Sequence, residues 1–508
     1  MSKGSSINLF FPRNDKEYTL LLRKFRLSSL LKRINQESLS LFNNNEQNEP
    51  VGIKWTNFTL YTEAYRRPHK QDIVITAWDL VDLAYDAIVA TNDYRGSDIS
   101  TNEELYLLVS TSSARKQRAE AKLIASLPER GGPDFFIYLW GFSGEQFKMQ
   151  SPGRVLLNSA RELYIIIDIS KRVKVSDDIE DIVYKEVGTS WKNILMSLFL
   201  LWCASYYNMD IMQFYKEFQW DKDFCINDFL RVLERYTASY EDVKHSPLRR
   251  QILYTKPYIR TAREGIISIN CYLNLFVYEH CILWIVREYY SKKNSRQFTS
   301  GFGVLFEEYF KELLETYVEA DCYVKIEEGA TPRADWKVQL DSYTLLIEQK
   351  STFLRLTAKQ QESSIEDIKY FFEQSIIKAL KQLESTEREL NLTSCIKIIL
   401  LYEDYLKTEI IEYILPNSGV TDDRNYWLVT IDEMEHLLYL YKNNHSMFIQ
   451  IMEEKIKREV EKSKDGRSLS QLLFDNGLTV NKHLLQDKFK PYSNSIQDEI
   501  MKRSSHHV

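Results

Sequence analysis

Residues 334–352 read ADWKVQLDSYTLLIEQKST, and Asp335, Glu348 and Lys350 stand out in them as two carboxylates and a lysine at the ends of one short stretch. A carboxylate pair can hold a hard divalent cation. Mg²⁺ is bound by one or two carboxylates together with phosphate oxygens and water. A lysine beside such a pair can orient an attacking water or stabilise charge building on a phosphate. The same residue types also decorate the polar face of an ordinary surface hairpin, so the elements that position them decide what they do.

Alternation between apolar and polar residues predicts two strands flanking Asp341-Ser342. With those two residues as a two-residue loop, Leu340 faces Tyr343 and Asp335 falls opposite Glu348. Asp335, Lys337, Gln339, Thr344, Leu346, Glu348 and Lys350 then share one face, while Trp336, Val338, Leu340, Tyr343, Leu345 and Ile347 share the other. A slip of one residue would mix the two sets, so the pattern supports this register. Asp-Ser is a weaker turn pair than Asp-Gly, which leaves a longer loop with another register open. Opposed carboxylates about 5 Å apart repel, and a cation or Lys350 must offset that.

The composition bounds the rest. A chain of 508 residues with 44% hydrophobic content has room for two or three domains with sizeable cores. Eleven prolines and 16 glycines favour helices over a loop-rich sandwich. The formal net charge of −6 gives no general attraction to a polyanion, so contact with nucleic acid would have to be local or metal-assisted. The six cysteines, Cys203, Cys225, Cys271, Cys281, Cys322 and Cys395, form no CxxC, and the histidines are scattered apart from His506-His507. A zinc ribbon or a His-built metal site is not expected, and reduced thiols in a cytoplasm are. No GxxxxGK[ST] is present, and no repeat of solenoid period. The apolar run Ile194–Ala204 is too short to span a bilayer, and charges interrupt Gly265–Tyr290. The N-terminal residues lack a signal-peptide core. A soluble cytoplasmic protein without membrane contact is the expectation.

The positioning elements follow along the chain. Residues 1–295 read as mainly helical, with helical patterns over Lys16–Phe42, Ile73–Val89, Glu103–Leu127, Trp191–Phe218, Asn227–Tyr240 and Tyr258–Tyr290. Strand-like runs FFIYLW (Phe135–Trp140) and LYIIIDI (Leu163–Ile169) interrupt them. Polar residues Ser291–Ser300 mark a boundary. Beyond it come a helix near Phe302–Val318, a strand, the hairpin, and a long helix Ile365–Leu390 opened by a Ser363–Glu366 capping box. The strand Cys395–Glu403, a helix near Tyr405–Ile414, a strand YWLVTI and a helix from Asp432 with a Thr430–Glu433 capping box complete the unit. This order predicts an α+β multidomain chain: a helical region 1–295, a mixed sheet flanked by helices over 296–445, and a helical tail 446–508 with a charged helix Met447–Lys464.

In the helix before the hairpin, Phe302, Phe306, Phe310, Leu313 and Tyr317 form an apolar stripe, and Glu308, Glu312 and Glu315 point away from it. Glu307 lies at the stripe's edge, where it can reach the rim of a neighbouring sheet. In the helix after the hairpin, Gln382 flanks the apolar stripe and Gln374 points nearly opposite to it.

The order helix, strand, Asp-bearing strand, Glu-x-Lys strand, helix, strand resembles the core of the PD-(D/E)XK nuclease superfamily over about 150 residues. Gly303-Val304-Leu305-Phe306-Glu307 matches that family's G-x-x-F-E, Asp335 its Asp, and Glu348-Gln349-Lys350 its Glu-x-Lys. No proline immediately precedes Asp335. The resemblance implies that Asp335 and Glu348 hold Mg²⁺ or Mn²⁺, that Glu307 helps place an ion, and that Lys350 positions or activates water and stabilises the pentacovalent transition state. Several of its families place a glutamine on the following helix, here Gln382. Arg333, Lys337, Arg355, Lys359 and Lys378 are candidate phosphate contacts. The implied activity is metal-dependent endonucleolytic hydrolysis of DNA leaving a 5′-phosphate. Large helical extensions on such cores resemble prokaryotic restriction and antiphage defence effectors. The implied partners are DNA, a defence-system protein such as a separate ATPase, and a second copy of the chain. Two rivals stand beside this: a non-catalytic interaction protein on a nuclease-like scaffold, and a nuclease acting on RNA or branched DNA.

Overall fold

The computed structural model describes residues 12, 14–43, 52–60, 69–126, 155–174, 177–207, 209, 211–217, 225–293, 295, 297–327, 329, 331–351, 370, 372–402, 426–461 and 468–493. The chain is α+β. It divides into two compact units: the first gathers the described residues of Met1–Ser126 and Val183–Cys281, with Val155, and the second those of Leu156–Ile182 and Ile282–Val508.

In the first unit, helices Leu27–Asn43, Ala77–Ala90 and Asn102–Ser126 bury Leu30, Leu31, Ile34, Leu80, Leu83, Ile88, Leu105 and Leu108 in one core. The helical patterns of the sequence are interrupted more often than periodicity alone indicates. Phe25 breaks the first one, pairing with Ser97 between two helices. Residues His69–Thr76 form a strand antiparallel to Ile53–Leu60, and only then does the helix begin, at a Thr76–Asp79 capping box. Thr237–Ser239, Tyr258–Arg260 and Ile266–Ser268 form a three-stranded sheet where helix was expected. Gly265, at φ 70°, makes the turn between the last two.

The second unit holds the hairpin. Around the hairpin its elements are α1 (Gln297–Tyr317), β1 (Tyr323–Lys325), β2 (Trp336–Leu340), β3 (Tyr343–Lys350), α2 (Lys378–Glu389), β4 (Ile396–Leu401), β5 (Tyr426–Thr430), α3 (Ile431–Asn443) and α4 (His445–Glu461). The five strands form one mixed sheet in the order β5-β4-β3-β2-β1. β1, β2 and β3 are an antiparallel meander, and β3, β4 and β5 run parallel. A parallel neighbour requires a crossover, and α2 lies in the one between β3 and β4. The hairpin has the expected register, Leu340 opposite Tyr343 and Trp336 opposite Ile347. Asp341 takes φ 52°, which an aspartate tolerates better than most residues.

Both faces of the sheet are covered at β3, so Leu345, Leu346, Ile347 and Glu348 are all buried. α1 lies against the Trp336 side: the Phe310 ring meets the Trp336 indole edge-on. α2 lies against the Glu348–Lys350 side through Gln382. The Thr430–Glu433 capping box opens α3 as expected. FFIYLW, the Ser363–Glu366 box, Arg355, Lys359 and the 405–414 helix lie outside the described residues.

Two expectations are corrected here. LYIIIDI is helical: Tyr164–Ile169 is a π-helical segment inside a helix covering 155–173. A short apolar run buried on all sides carries no period that separates strand from helix. Glu312, expected to face solvent, accepts from Tyr164 Oη at 2.8 Å and pairs with Arg172, because helix 155–173 covers that side of α1. Nearby, Arg161 forks onto Glu435 at 2.8 and 2.7 Å and reaches Asp432 at 2.7 Å. His483, fully buried, sits between the hydroxyls of Tyr309 at 3.2 Å and Tyr317 at 2.8 Å. This network ties residues 481–486 to α1 and α3.

Candidate functional site

β3 positions the two decisive side chains by simple alternation. Glu348 and Lys350 point to the α2 side, and Gln349 between them points to the α1 side. Gln349 links two elements there. Its Oε1 accepts from Trp336 Nε1 at 2.7 Å, and its Nε2 donates to the Phe306 carbonyl at 3.2 Å. This residue received no role from the sequence. Its signal was a lone amide on an otherwise apolar face, which must find partners when half-buried.

Asp335 lies just before the regular ladder. Its amide donates to the Ile347 carbonyl at 3.0 Å, and its Oδ2 accepts from the Gln349 amide at 2.6 Å. The Asp335 carboxylate is thereby fixed to the β3 backbone beside Glu348. Glu348 is 2% exposed and Lys350 is 11% exposed at the side chain, and the two form an ion pair. The other Glu348 oxygen, Oε2, is buried without a hydrogen-bond partner among the described residues. Lys337, Gln339 and Thr344 of the same face are half-exposed, as on an ordinary surface hairpin, but the Glu348 end of it is buried.

The electrostatics follow from that burial. Glu348 is pushed up to about 8, first by burial and then by the Asp335 charge, against the pull of Lys350. Asp335 is also raised, chiefly by burial and with a contribution from Glu307, while the Gln349 amide and Lys350 oppose. Two carboxylates disfavouring each other's ionised form are a marker of sites built for function, though structural networks do the same.

Glu307 faces the same region from α1 but is ion-paired with Lys325 of β1. Among the described residues, no group of three or more His, Cys, Asp or Glu side chains is arranged to hold a metal ion. Asp335 and Glu348 stand as a pair, with Glu307 nearby and engaged. Gln382 reaches the site: its Oε1 accepts from Lys350 Nζ at 3.0 Å and its Nε2 donates to the Arg333 carbonyl at 3.0 Å. Gln374, in a π-helical turn Glu373–Ile377 ahead of α2, is exposed. Of the candidate phosphate contacts, Arg333 is paired with Glu389, and Lys378 lies close enough to lower the Glu348 pKa.

In comparisons with family models, curated proteins and solved structures, the chain finds no match. Among the described residues, no helix is long and apolar enough to cross a membrane.

Proposed function

We propose that the second unit is a metal-dependent endonuclease of the PD-(D/E)XK type, hydrolysing phosphodiester bonds in DNA. One observation carries this reading: Asp335, Glu348 and Lys350 converge in a half-enclosed site, and Glu348 Oε2 is buried there without a partner among the described residues. An orphaned buried carboxylate oxygen beside a second carboxylate suits Mg²⁺ or Mn²⁺, which takes one or two protein carboxylates and completes its shell with water and phosphate oxygens. The strand order, with an antiparallel meander leading into parallel strands, supports the same class. When bound by Asp335 and Glu348, the ion would supply Lewis-acid polarisation of the phosphate and a more acidic bound water.

The chain's own groups would divide the remaining work. The Gln349 amide holds the Asp335 carboxylate in place. Lys350, oriented by Gln382, donates to the developing negative charge or to the attacking water. Glu307 joins on leaving Lys325. Lys378 and Lys337 contact flanking phosphates. A role in bacterial antiphage defence belongs to the same proposal, with the first 295 residues sensing a trigger or binding a partner such as an ATPase, and with pairing of two copies to cut both strands. So does a cytoplasmic location.

The ion pair between Glu307 and Lys325, with no group of three carboxylates among the described residues, favours the rival of a non-catalytic interaction protein. Calorimetric titration of the full chain with Mn²⁺ separates the two. The nuclease reading expects binding that Glu348→Ala abolishes. Equal heats from wild type and variant, or none from either, favour the scaffold.

A further inference from the structure

Residues 382, 386 and 389 of α2 share one helical face, at spacings of four and three, and all three grip the two residues ahead of Asp335. Gln382 Nε2 donates to the Arg333 carbonyl at 3.0 Å. Thr386 Oγ1 accepts from the Ala334 amide at 2.8 Å and donates to the Gln382 carbonyl at 2.8 Å. Glu389 takes the Arg333 guanidinium with both oxygens, Nε–Oε2 at 2.8 Å. Ala334 and Thr386 are fully buried, so neither can exchange its partner for water. The Arg333 guanidinium also covers Gly329, where an added Cβ would lie 2.7 Å from Cζ. The same face holds Lys350 through the second arm of Gln382.

We infer that Thr386 and Glu389 are positioning residues: with Gln382 they form a three-point clamp by which α2 sets the Asp335 carboxylate relative to Glu348 and Lys350. The inference rests on the nuclease reading of that site. Without the clamp, Asp335 keeps its own bonds, from its amide to the Ile347 carbonyl, from the Ile326 amide to its carbonyl and from the Gln349 amide to its carboxylate, but Arg333 and Ala334 ahead of it lose their anchors and the strand entry that aims the carboxylate can shift. Partners of ligand residues of this kind are worth roughly 10–100-fold in metal affinity or activity.

The test uses the full chain and Mn²⁺. Thr386→Val keeps the shape and removes the acceptor, and Thr386→Ser returns the hydroxyl. Thr386→Val should weaken Mn²⁺ binding by about 10–100-fold and lower DNA cleavage similarly. It should also speed amide exchange at Ala334 and Asp335, and Thr386→Ser should restore all three. Should Thr386→Val fail to fold, the exposed Glu389→Gln gives a second variant, expected to weaken Mn²⁺ binding by several-fold. Thr386→Val or Glu389→Gln binding Mn²⁺ and cutting as wild type does, while Asp335→Ala does neither, overturns the clamp alone. A wild type that neither binds Mn²⁺ nor cuts overturns the nuclease reading, and the clamp's purpose with it.

Discussion

Replacing Glu348 with glutamine isolates the electrostatic tension on which the site depends. A glutamine matches the shape of a protonated glutamate. With its carboxyl raised from 4.5 to about 8, Glu348 binds its proton more tightly in the folded chain than in the unfolded one. The folded state is therefore favoured below pH 4.5, and that advantage is lost as pH rises through about 8. At about 1.4 kcal/mol per pH unit, the whole effect is about 5 kcal/mol as an upper figure, with little solvent discount because Glu348 is buried. Glu348→Gln should match wild type at pH 5 to within about 1 kcal/mol and exceed it increasingly toward pH 9. That is a difference in melting temperature on the order of 10 °C for a cooperative unit of a few hundred residues. The assay is thermal melting of both full-length chains in EDTA from pH 5 to 9. Mn²⁺ in excess should then raise the wild type at pH 9 by about 2–3 kcal/mol at a hundredfold excess over Kd and leave the variant unchanged. A difference that stays flat across pH, or a variant less stable at pH 9, refutes the reasoning.

Further expectations come from other parts of the second unit. His483 is held well below its ordinary value, first by burial and then by Lys488 and Arg161. Its stabilising contribution is therefore complete above pH 6.5 and lost as pH falls. Residues 481–486 should lose amide protection between pH 7 and 5, and unchanged exchange contradicts this. Glu435→Ala leaves Arg161 buried without its main partner and should cost about 3–5 kcal/mol. The paired change Arg161→Met with Glu435→Leu should recover most of that in denaturant titrations, and an additive loss would show that the ion pair itself supplies the stability. Gln382→Ala should reduce cleavage about 10–100-fold, and Gln374→Ala, exposed and away from Lys350, should leave it unchanged. Equal effects would remove Gln382 from the site.

The hairpin was legible because its alternation over thirteen positions favours one register, and Leu340 faces Tyr343 as that register requires. Gln382 was legible through its place beside the apolar stripe. What escaped had no local signature. The Asp335 carboxylate caps a backbone amide rather than continuing the ladder, and Gln349 stitches Trp336 to α1, both of which depend on three-dimensional neighbours. Glu312 looked solvent-facing because a single helix cannot reveal a second one packed on its far side. The short strands at 237–239, 258–260 and 266–268 are too brief to leave a period.

The most direct measurement is incubation of the full-length protein with plasmid DNA, with and without Mg²⁺ or Mn²⁺, beside Lys350→Ala. The account predicts nicked or linear DNA with 5′-phosphate ends only when a metal is present, and intact plasmid with the variant. Metal-dependent cleavage that survives Lys350→Ala, or a wild type inert with both metals, would contradict it.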